Sequence, residues 1–248
     1  MIDKNAELTQ RCPRGFAQPS DGMGTLAASF ASRGFTILPE VVDSAACSLA
    51  ASLLEQSPSH GAGSRRLLTH SWCQELARRV RQHAAVAALL PPDSVVVQCT
   101  VFDKSPAKNW LVALHQDRSI PVRCRVESPN LTGWSEKEGD IFVQPPREVL
   151  ESVTAVRIHI DACPVESGAL RVVPGSHASG VLAPLEAERL RDRFGEEAVP
   201  SPRGGAILLK PLLLHASSKA RVALQRRVMH FVFGPRVLPF GLEWRHAI

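Results

Sequence analysis

Three side chains carry chemistry in this sequence: His115, Asp117 and His215. His115 and Asp117 stand two residues apart at the end of the apolar run 110–114, and His215 closes a second apolar run, 205–214. On a β-strand, residues i and i+2 point to the same face. The spacing therefore converges an imidazole and a carboxylate on one point, and His215 is the best placed third ligand. Two imidazoles and a carboxylate on one face of a divalent ion leave the opposite positions open, as non-haem Fe(II) oxygenases require. An isolated H-x-D arises by chance in many chains, so the weight comes from the residues beyond His215. Ser217 lies two residues on and offers a hydroxyl. Arg226, eleven residues on, opens the strand-like run 226–231. A guanidinium there suits the far end of a dicarboxylate through a bidentate salt bridge.

The elements that must hold these groups can be read from pattern. Residues 1–24, with prolines and glycines among polar residues, read as a flexible N-terminal arm. A helix over 26–33 ends at Gly34, an apolar strand 35–38 stops at Pro39, and Asp43 or Ser44 caps a helix to about residue 55. Residues 56–64 have loop composition. Leu76, Val80 and Ala84 have helical spacing around a helix from Cys73 to Arg81, and a second short helix ends at Pro91-Pro92.

From Asp93 the texture changes to strands. The run 95–102 is β-branched and reads as buried, with Gln98, Thr100, Phe102 and Lys104 sharing one face that lines a cavity. Residues 125–148, which include Trp134, read as a long lid-like connection. The strand 153–161 places Arg157, His159 and Asp161 on one face, costly if buried unpaired, so that face is either solvated or borders the site. A short strand runs from Gly168 into the turn Pro174-Gly175-Ser176-His177. A charged helix spans 185–194, and the last strands cover 206–209, 212–215 and 226–233. Helices first and many short strands afterwards read as α+β with a β-sandwich or barrel core, one domain over 25–248.

Composition bounds the function. The 248 residues are 44% apolar, enough for a core, and no apolar run approaches the ~20 residues of a membrane span. The N-terminus has neither the basic nor the apolar region of a secretory signal. Six cysteines occur singly, without a CxxC pair, and read as reduced thiols of a cytoplasmic protein rather than a structural zinc site. The net charge of +5 is spread along the chain, there is no tyrosine, and aromatics are 5%. This argues against a nucleic-acid partner and leaves an anionic or polar small-molecule substrate, on a monomer or homodimer.

On His115-Gln116-Asp117, the stretch from Gly168 to Pro174-Gly175-Ser176-His177, His215 with Ser217, and Arg226-Arg227, the sequence resembles the phytanoyl-CoA dioxygenase family of Fe(II)- and 2-oxoglutarate-dependent oxygenases. The resemblance covers about residues 26–235. It implies a double-stranded β-helix (jelly roll, cupin-like) core flanked by N-terminal helices. It implies His115, Asp117 and His215 as iron ligands, Arg226 as anchor of the distal 2-oxoglutarate carboxylate, and Ser217, Gln98 and Lys104 in the co-substrate pocket. Related halogenases replace the carboxylate by Ala or Gly; Asp117 is present here, which implies hydroxylation or a related C–H oxidation with O₂, giving succinate and CO₂. Two features depart from the family. Arg157 stands where a Trp is common, and the insertion at 125–148 is long. Both bear on the substrate, for which Arg157, His159 and Trp134 are the expected contacts.

Two other functions use the same residues. A cupin-type hydrolase or isomerase would hold Zn²⁺ or Mn²⁺ on the three ligands and activate water, with no need of a dicarboxylate anchor. A non-catalytic metal-binding sensor on the same fold would commonly have lost a ligand. His177, in its turn, is expected to make a structural hydrogen bond, and His230 shares strand parity with Arg226.

Overall fold

The computed structural model describes residues 19–56 and 64–248. Its first helix, α1, spans Pro19–Arg33, so the expected arm is shorter than residues 1–24: residues 19–24 are helical, and 1–18 lie outside the described residues. Most of the expected loop at 56–64 also lies outside them. Strand β1 (Phe35–Leu38) follows, then α2 (Ser44–Gln56), whose first turn is capped by Asp43 Oδ1 accepting from the Ala46 N–H at 2.7 Å. Helix α3 (Ser71–Gln82) buries Cys73, Leu76, Ala77 and Val80, one stripe at helical spacing, and α4 (Ala84–Ala87) is a single turn.

The strands are β2 (Ser94–Lys104), β3 (Val112–His115), β4 (Ile120–Val122), β5 (Thr132–Lys137) and β6 (Asp140–Gln144). After the short helix α5 (Arg147–Glu151) come β7 (Thr154–His159), β8 (Leu170–Val172) and helix α6 (Pro184–Phe194). The chain ends with β9 (Glu197–Val199), β10 (Ala206–Leu209), β11 (His215–Ser217) and β12 (Arg226–Pro235). They form three antiparallel sheets: a large one in the order β1-β10-β7-β12-β2, a small one in the order β3-β11-β8-β9, and a third in the order β4-β6-β5. This is the expected α+β jelly roll flanked by its N-terminal helices, with α6 packed near β3 of the small sheet. Among the described residues, no helix is long and apolar enough to cross a membrane.

The two faces of the large sheet do different work. One face packs Cys99, Val101, Val156, Ile158, Met229 and Phe231 against α1 to α4. The other meets the small sheet, where Phe35, Ala155, Ile207 and Leu209 pack on Leu170, Val172 and Val199. Register on this inner face is specified because it is buried. A bulge shifts the β12–β2 pairing between Val232 and Phe233. Val95 and Val97 thereby join a separate apolar cluster with Val143 and Leu150, while Gln98, Thr100, Phe102 and Lys104 continue along β2 at alternate positions.

Residues 125–148 are not an unstructured connection. They contain β5 and β6, which pair with β4 into the third sheet. The β5–β6 tip is held down: Glu138, at a φ of 55°, accepts hydrogen bonds from Arg65 Nη1 at 2.8 Å and the Arg65 N–H at 2.9 Å.

The Pro-Gly-Ser-His turn joins the helical layer to the metal-facing strand. The Gly175 N–H bonds to the Arg33 carbonyl at 2.8 Å, and Ser176 Oγ accepts from the Leu214 N–H at 2.9 Å, one residue before His215. His177 Nε2 makes the expected structural hydrogen bond, to the Ala31 carbonyl at 3.0 Å. Gly34 lies against that ring at a φ of +78°, and a β-carbon on it would stand 2.4 Å from His177 Nδ1.

Candidate metal centre

His115 ends β3 and His215 begins β11, and the two are directly paired across the small sheet. The run 212–214, expected as strand, is a buried turn, so the strand starts only at His215. Asp117 lies just beyond β3, placed by its N–H bonding to the Pro211 carbonyl at 2.9 Å. The three potential ligand atoms lie within 4.8 Å of one another. Asp117 Oδ1 is 3.7 Å from His115 Nε2 and Oδ2 is 3.7 Å from His215 Nε2.

Each imidazole is oriented by its own backbone. His115 Nδ1 donates to the Ala113 carbonyl at 2.8 Å and His215 Nδ1 to the Leu213 carbonyl at 2.9 Å. A ring that donates from Nδ1 presents the Nε2 lone pair, as a metal ligand must. Burial holds His215 down at about 4, Asp117 opposing, so it is neutral at neutral pH. Burial pushes Asp117 up, but the imidazoles of His215, His230 and His115 and the Arg157 guanidinium outweigh it and hold the carboxyl at about 2. The donor set is two imidazoles and one carboxylate, which fits a first-row divalent ion.

Gln116, between the two ligands, went unassigned in the sequence. Its Nε2 donates to the Gly180 and Leu212 carbonyls, both at 2.7 Å, and its Oε1 accepts from the Leu182 N–H at 2.9 Å. It ties the H-x-D loop to the chain on both sides. Nothing in the residue type distinguishes such a staple from an exposed glutamine.

The triad opens on a cavity of about 350 Å³ between the large and small sheets. At one end stands a cationic group without a carboxylate. Arg226 and Lys104 face each other across the β12–β2 pair, and both are buried. Arg226 Nη1 donates to the Gly168 carbonyl at 2.7 Å, while its Nε is buried without a partner. Ser217 Oγ donates to the same carbonyl at 2.9 Å and accepts from Lys104 Nζ at 2.8 Å. Burial and the neighbouring Arg226 charge lower Lys104 to about 8. Arg226, Lys104 and Ser217 thus come together in one hydrogen-bonded group with the Gly168 carbonyl. Gln98 lines the cavity at the other end of the strand, bonded to Thr100 Oγ1 at 2.7 Å, away from Arg226.

The expected substrate contacts divide. Arg157 is buried, lines the cavity and lies over the Phe102 ring at 5.0 Å. His159 is buried on the same strand face but opposite Val228, one pairing step away, and is not part of the cavity wall. Burial, with Arg157 and Arg226, holds it at about 3. Trp134 packs against the cluster of Val143 and Leu150, with the Arg125 guanidinium 5.8 Å above its ring, and does not reach the cavity. From the third sheet it is Ile120, Lys137 and Phe142 that line the cavity. His230 does face it: Nδ1 lies 3.2 Å from Arg157 Nη1 and Nε2 lies 3.9 Å from Asp117 Oδ2. Because arginine only donates, His230 accepts at Nδ1 and turns an N–H toward Asp117.

A family model for phytanoyl-CoA dioxygenase (PhyH) matches residues 32–228. The chain belongs to the phytanoyl-CoA dioxygenase family. No curated protein sequence matches this family member significantly. Among solved structures it is similar to the non-haem alpha ketoglutarate dependent epimerase SnoN from nogalamycin biosynthesis, with a TM-score of 0.65 and 16% identity over 90% of this chain and 85% of that one. It is similar to the carbocyclase SnoK from the same biosynthesis, with a TM-score of 0.62 and 14% identity over 85% and 83% of the two chains. It is also similar to HygX from Streptomyces hygroscopicus, solved with nickel and 2-oxoglutarate bound, with a TM-score of 0.60 and 20% identity over 85% and 86%.

Two expected results arise from this geometry. Gly168 has a φ of +75° and a β-carbon on it would stand 2.4 Å from the Ser218 carbonyl oxygen. Gly168→Ala is expected to cost about 1–3 kcal/mol of stability and to displace the carbonyl on which Arg226 and Ser217 rest. Thermal melting reads the first effect, and retention of the wild-type melting point would exclude it.

The second concerns acid. His215, His159 and His230 sit at about 4, 3 and 3, against 6.5 when unfolded. Between those values the unfolded chain binds more protons, so stability is lost as the pH drops. The metal-free protein should keep full stability above about pH 6.5 and lose it progressively toward pH 4. A flat melting point across that window would contradict neutral burial of these rings.

Proposed function

We propose that this protein is an Fe(II)- and 2-oxoglutarate-dependent dioxygenase that oxidises a C–H bond of a small-molecule metabolite, with hydroxylation the principal outcome. The observation that carries this reading is a two-histidine, one-carboxylate group and a buried Arg226–Ser217 seat in one cavity, with Lys104 bonded to Ser217. His115, Asp117 and His215 would hold the iron, and Arg226, Lys104 and Ser217 would take the distal carboxylate of 2-oxoglutarate. Bound there, iron, 2-oxoglutarate and O₂ supply the C–H oxidation, with succinate and CO₂ as co-products.

The chain's own residues do the positioning. The Ala113 and Leu213 carbonyls fix the ligand tautomers, and His230 directs an N–H at Asp117. Phe102 and Phe142 wall the cavity and limit water. Arg157 is the expected substrate contact that this reading retains. The β5–β6 hairpin, pinned through Glu138, would act as a cover over the mouth. The epimerase and carbocyclase on the same fold support C–H chemistry whose fate is set by how the substrate is held.

The hydrolase or isomerase reading places no demand on a dicarboxylate seat, so the cationic group at Arg226 favours the oxygenase. A sensor function is disfavoured by the complete ligand set. A cytoplasmic monomer or homodimer acting on free metabolites, without nucleic acid or membrane, is the setting we propose. Assay of succinate formation from 2-oxoglutarate, with Fe(II) and a panel of metabolites, tests the activity. Fe(II)-dependent succinate raised by one compound class is expected; substrate turnover with Zn²⁺ and no 2-oxoglutarate would replace the reading by the hydrolase.

A further inference from the structure

We infer that the organic substrate is an anion whose carboxylate or phosphate is seated on the Arg157 guanidinium inside the cavity. The inference rests on the oxygenase reading and deepens it. Arg157 is 6% exposed, and its Nε is buried without a hydrogen-bond partner. Its contacts are Nη1 with His230 Nδ1 at 3.2 Å and a face-on approach to the Phe102 ring at 5.0 Å. The Phe102 ring lies under the guanidinium carbon as a cation–π partner, and the unpartnered Nε leaves N–H donors for an anionic acceptor.

Charge balance points the same way. Five basic side chains line the cavity, Arg65, Arg118, Lys137, Arg157 and Arg226, against one carboxylate, Asp117. Asp117 is committed to the metal, which also takes the keto-acid end of 2-oxoglutarate. The far carboxylate of that molecule is matched by Arg226, Lys104 and Ser217. Arg65 is paired with Glu138 at 2.8 Å. Arg157 makes no ion pair among the described residues, and the one carboxylate whose charge it feels, Asp117, belongs to the metal ligands, a costly arrangement unless a ligand completes it.

Arg226 pairs with Lys104, whereas Arg157 pairs with His230, four residues further along β12. At ~3.4 Å per residue the two backbone positions are about 14 Å apart along the strand, while the two guanidinium charges still repel each other. Lys137 and Arg118 stand at the same cavity, and neither makes an ion pair among the described residues, so the approach is also favourable to an anion.

The test uses thermal melting of the purified protein with Mn²⁺ in place of Fe(II), with and without 2-oxoglutarate, then titrated with inorganic sulfate and with monocarboxylic acids and their methyl esters. For the wild type, Mn²⁺ with 2-oxoglutarate should raise the melting point, sulfate or an acid should raise it further and saturably, and the uncharged esters should not. In Arg157→Gln the response to Mn²⁺ and 2-oxoglutarate should persist while the anion response weakens by about tenfold or more. Arg157→Lys, which keeps the charge and loses the fork, should fall between, and it carries the test if the glutamine variant does not fold. An undiminished anion response in the variants, or none in the wild type, overturns the inference. A tenfold rise in the 2-oxoglutarate requirement of Arg157→Gln also overturns it, assigning Arg157 to the co-substrate. Absence of any metal-dependent 2-oxoglutarate response in the wild type instead removes the oxygenase reading beneath it.

Discussion

Asp117→Ala is expected to abolish coupled turnover, lowering it by about 100-fold or more, because loss of a ligand exceeds the 10–100-fold typical of outer partners. The carboxylate is the only anion among the three ligands, and it stands between His115 Nε2 and His215 Nε2 at 3.7 Å from each. Removing it leaves only the two imidazoles and takes away the negative charge that offsets the nearby Arg157 guanidinium. Asp117→Asn keeps the shape, loses the charge and should fail similarly. Metal titration followed by melting separates lost binding from lost chemistry. Full hydroxylation by the alanine variant would refute the ligand assignment.

Arg226→Leu is the second large effect. Truncating one side of a buried charge pair costs about 2–5 kcal/mol, and Lys104 remains to hold part of the carboxylate. The 2-oxoglutarate KM should therefore rise by about 100-fold, with a smaller change in kcat. The ligand-free protein should respond oppositely. Arg226 and Lys104 are buried like charges facing each other across β12 and β2, so removing one relieves repulsion, and Ser217 still satisfies the Gly168 carbonyl. A melting point unchanged or raised without ligand, combined with a raised KM, is the expected signature. An unchanged KM would release Arg226 from the co-substrate site.

Much of this site was legible in the sequence because strand parity is a strong constraint. His115 and Asp117 stand two apart at the end of one apolar run and His215 closes another, and the structure pairs His115, at the end of β3, with His215, at the start of β11. The alternating set Gln98, Thr100, Phe102 and Lys104 had to share a face; the first three line the cavity, and Lys104 is buried against Ser217. Parity does not say how deep a residue sits along its strand. Arg157 and His159 share a face, yet one pairing step separates cavity wall from buried interior.

The third sheet was hidden for other reasons. β4 is Ile-Pro-Val, and proline argues against a strand. β5 carries Gly133 and two charged residues and is largely exposed, so no alternation shows. Its turn places Glu138 at positive φ, where hairpin signals call for Asn or Gly. Trp134 looked like a ligand contact because large aromatics in long insertions commonly are; here it fills the apolar cluster under its own sheet. The run 212–214 misled because burial alone does not make a strand, and these leucines pack from a turn.

Metal and keto acid must share one cavity if this protein is an oxygenase, and thermal melting with each added alone and together measures that sharing most directly. A divalent ion should raise the melting point, 2-oxoglutarate alone should do far less, and the two together should exceed the sum, as linked native-state ligands require. Asp117→Ala should lose the metal response and Arg226→Leu the 2-oxoglutarate increment. Additive or metal-independent effects of 2-oxoglutarate in the wild-type protein would contradict a shared site.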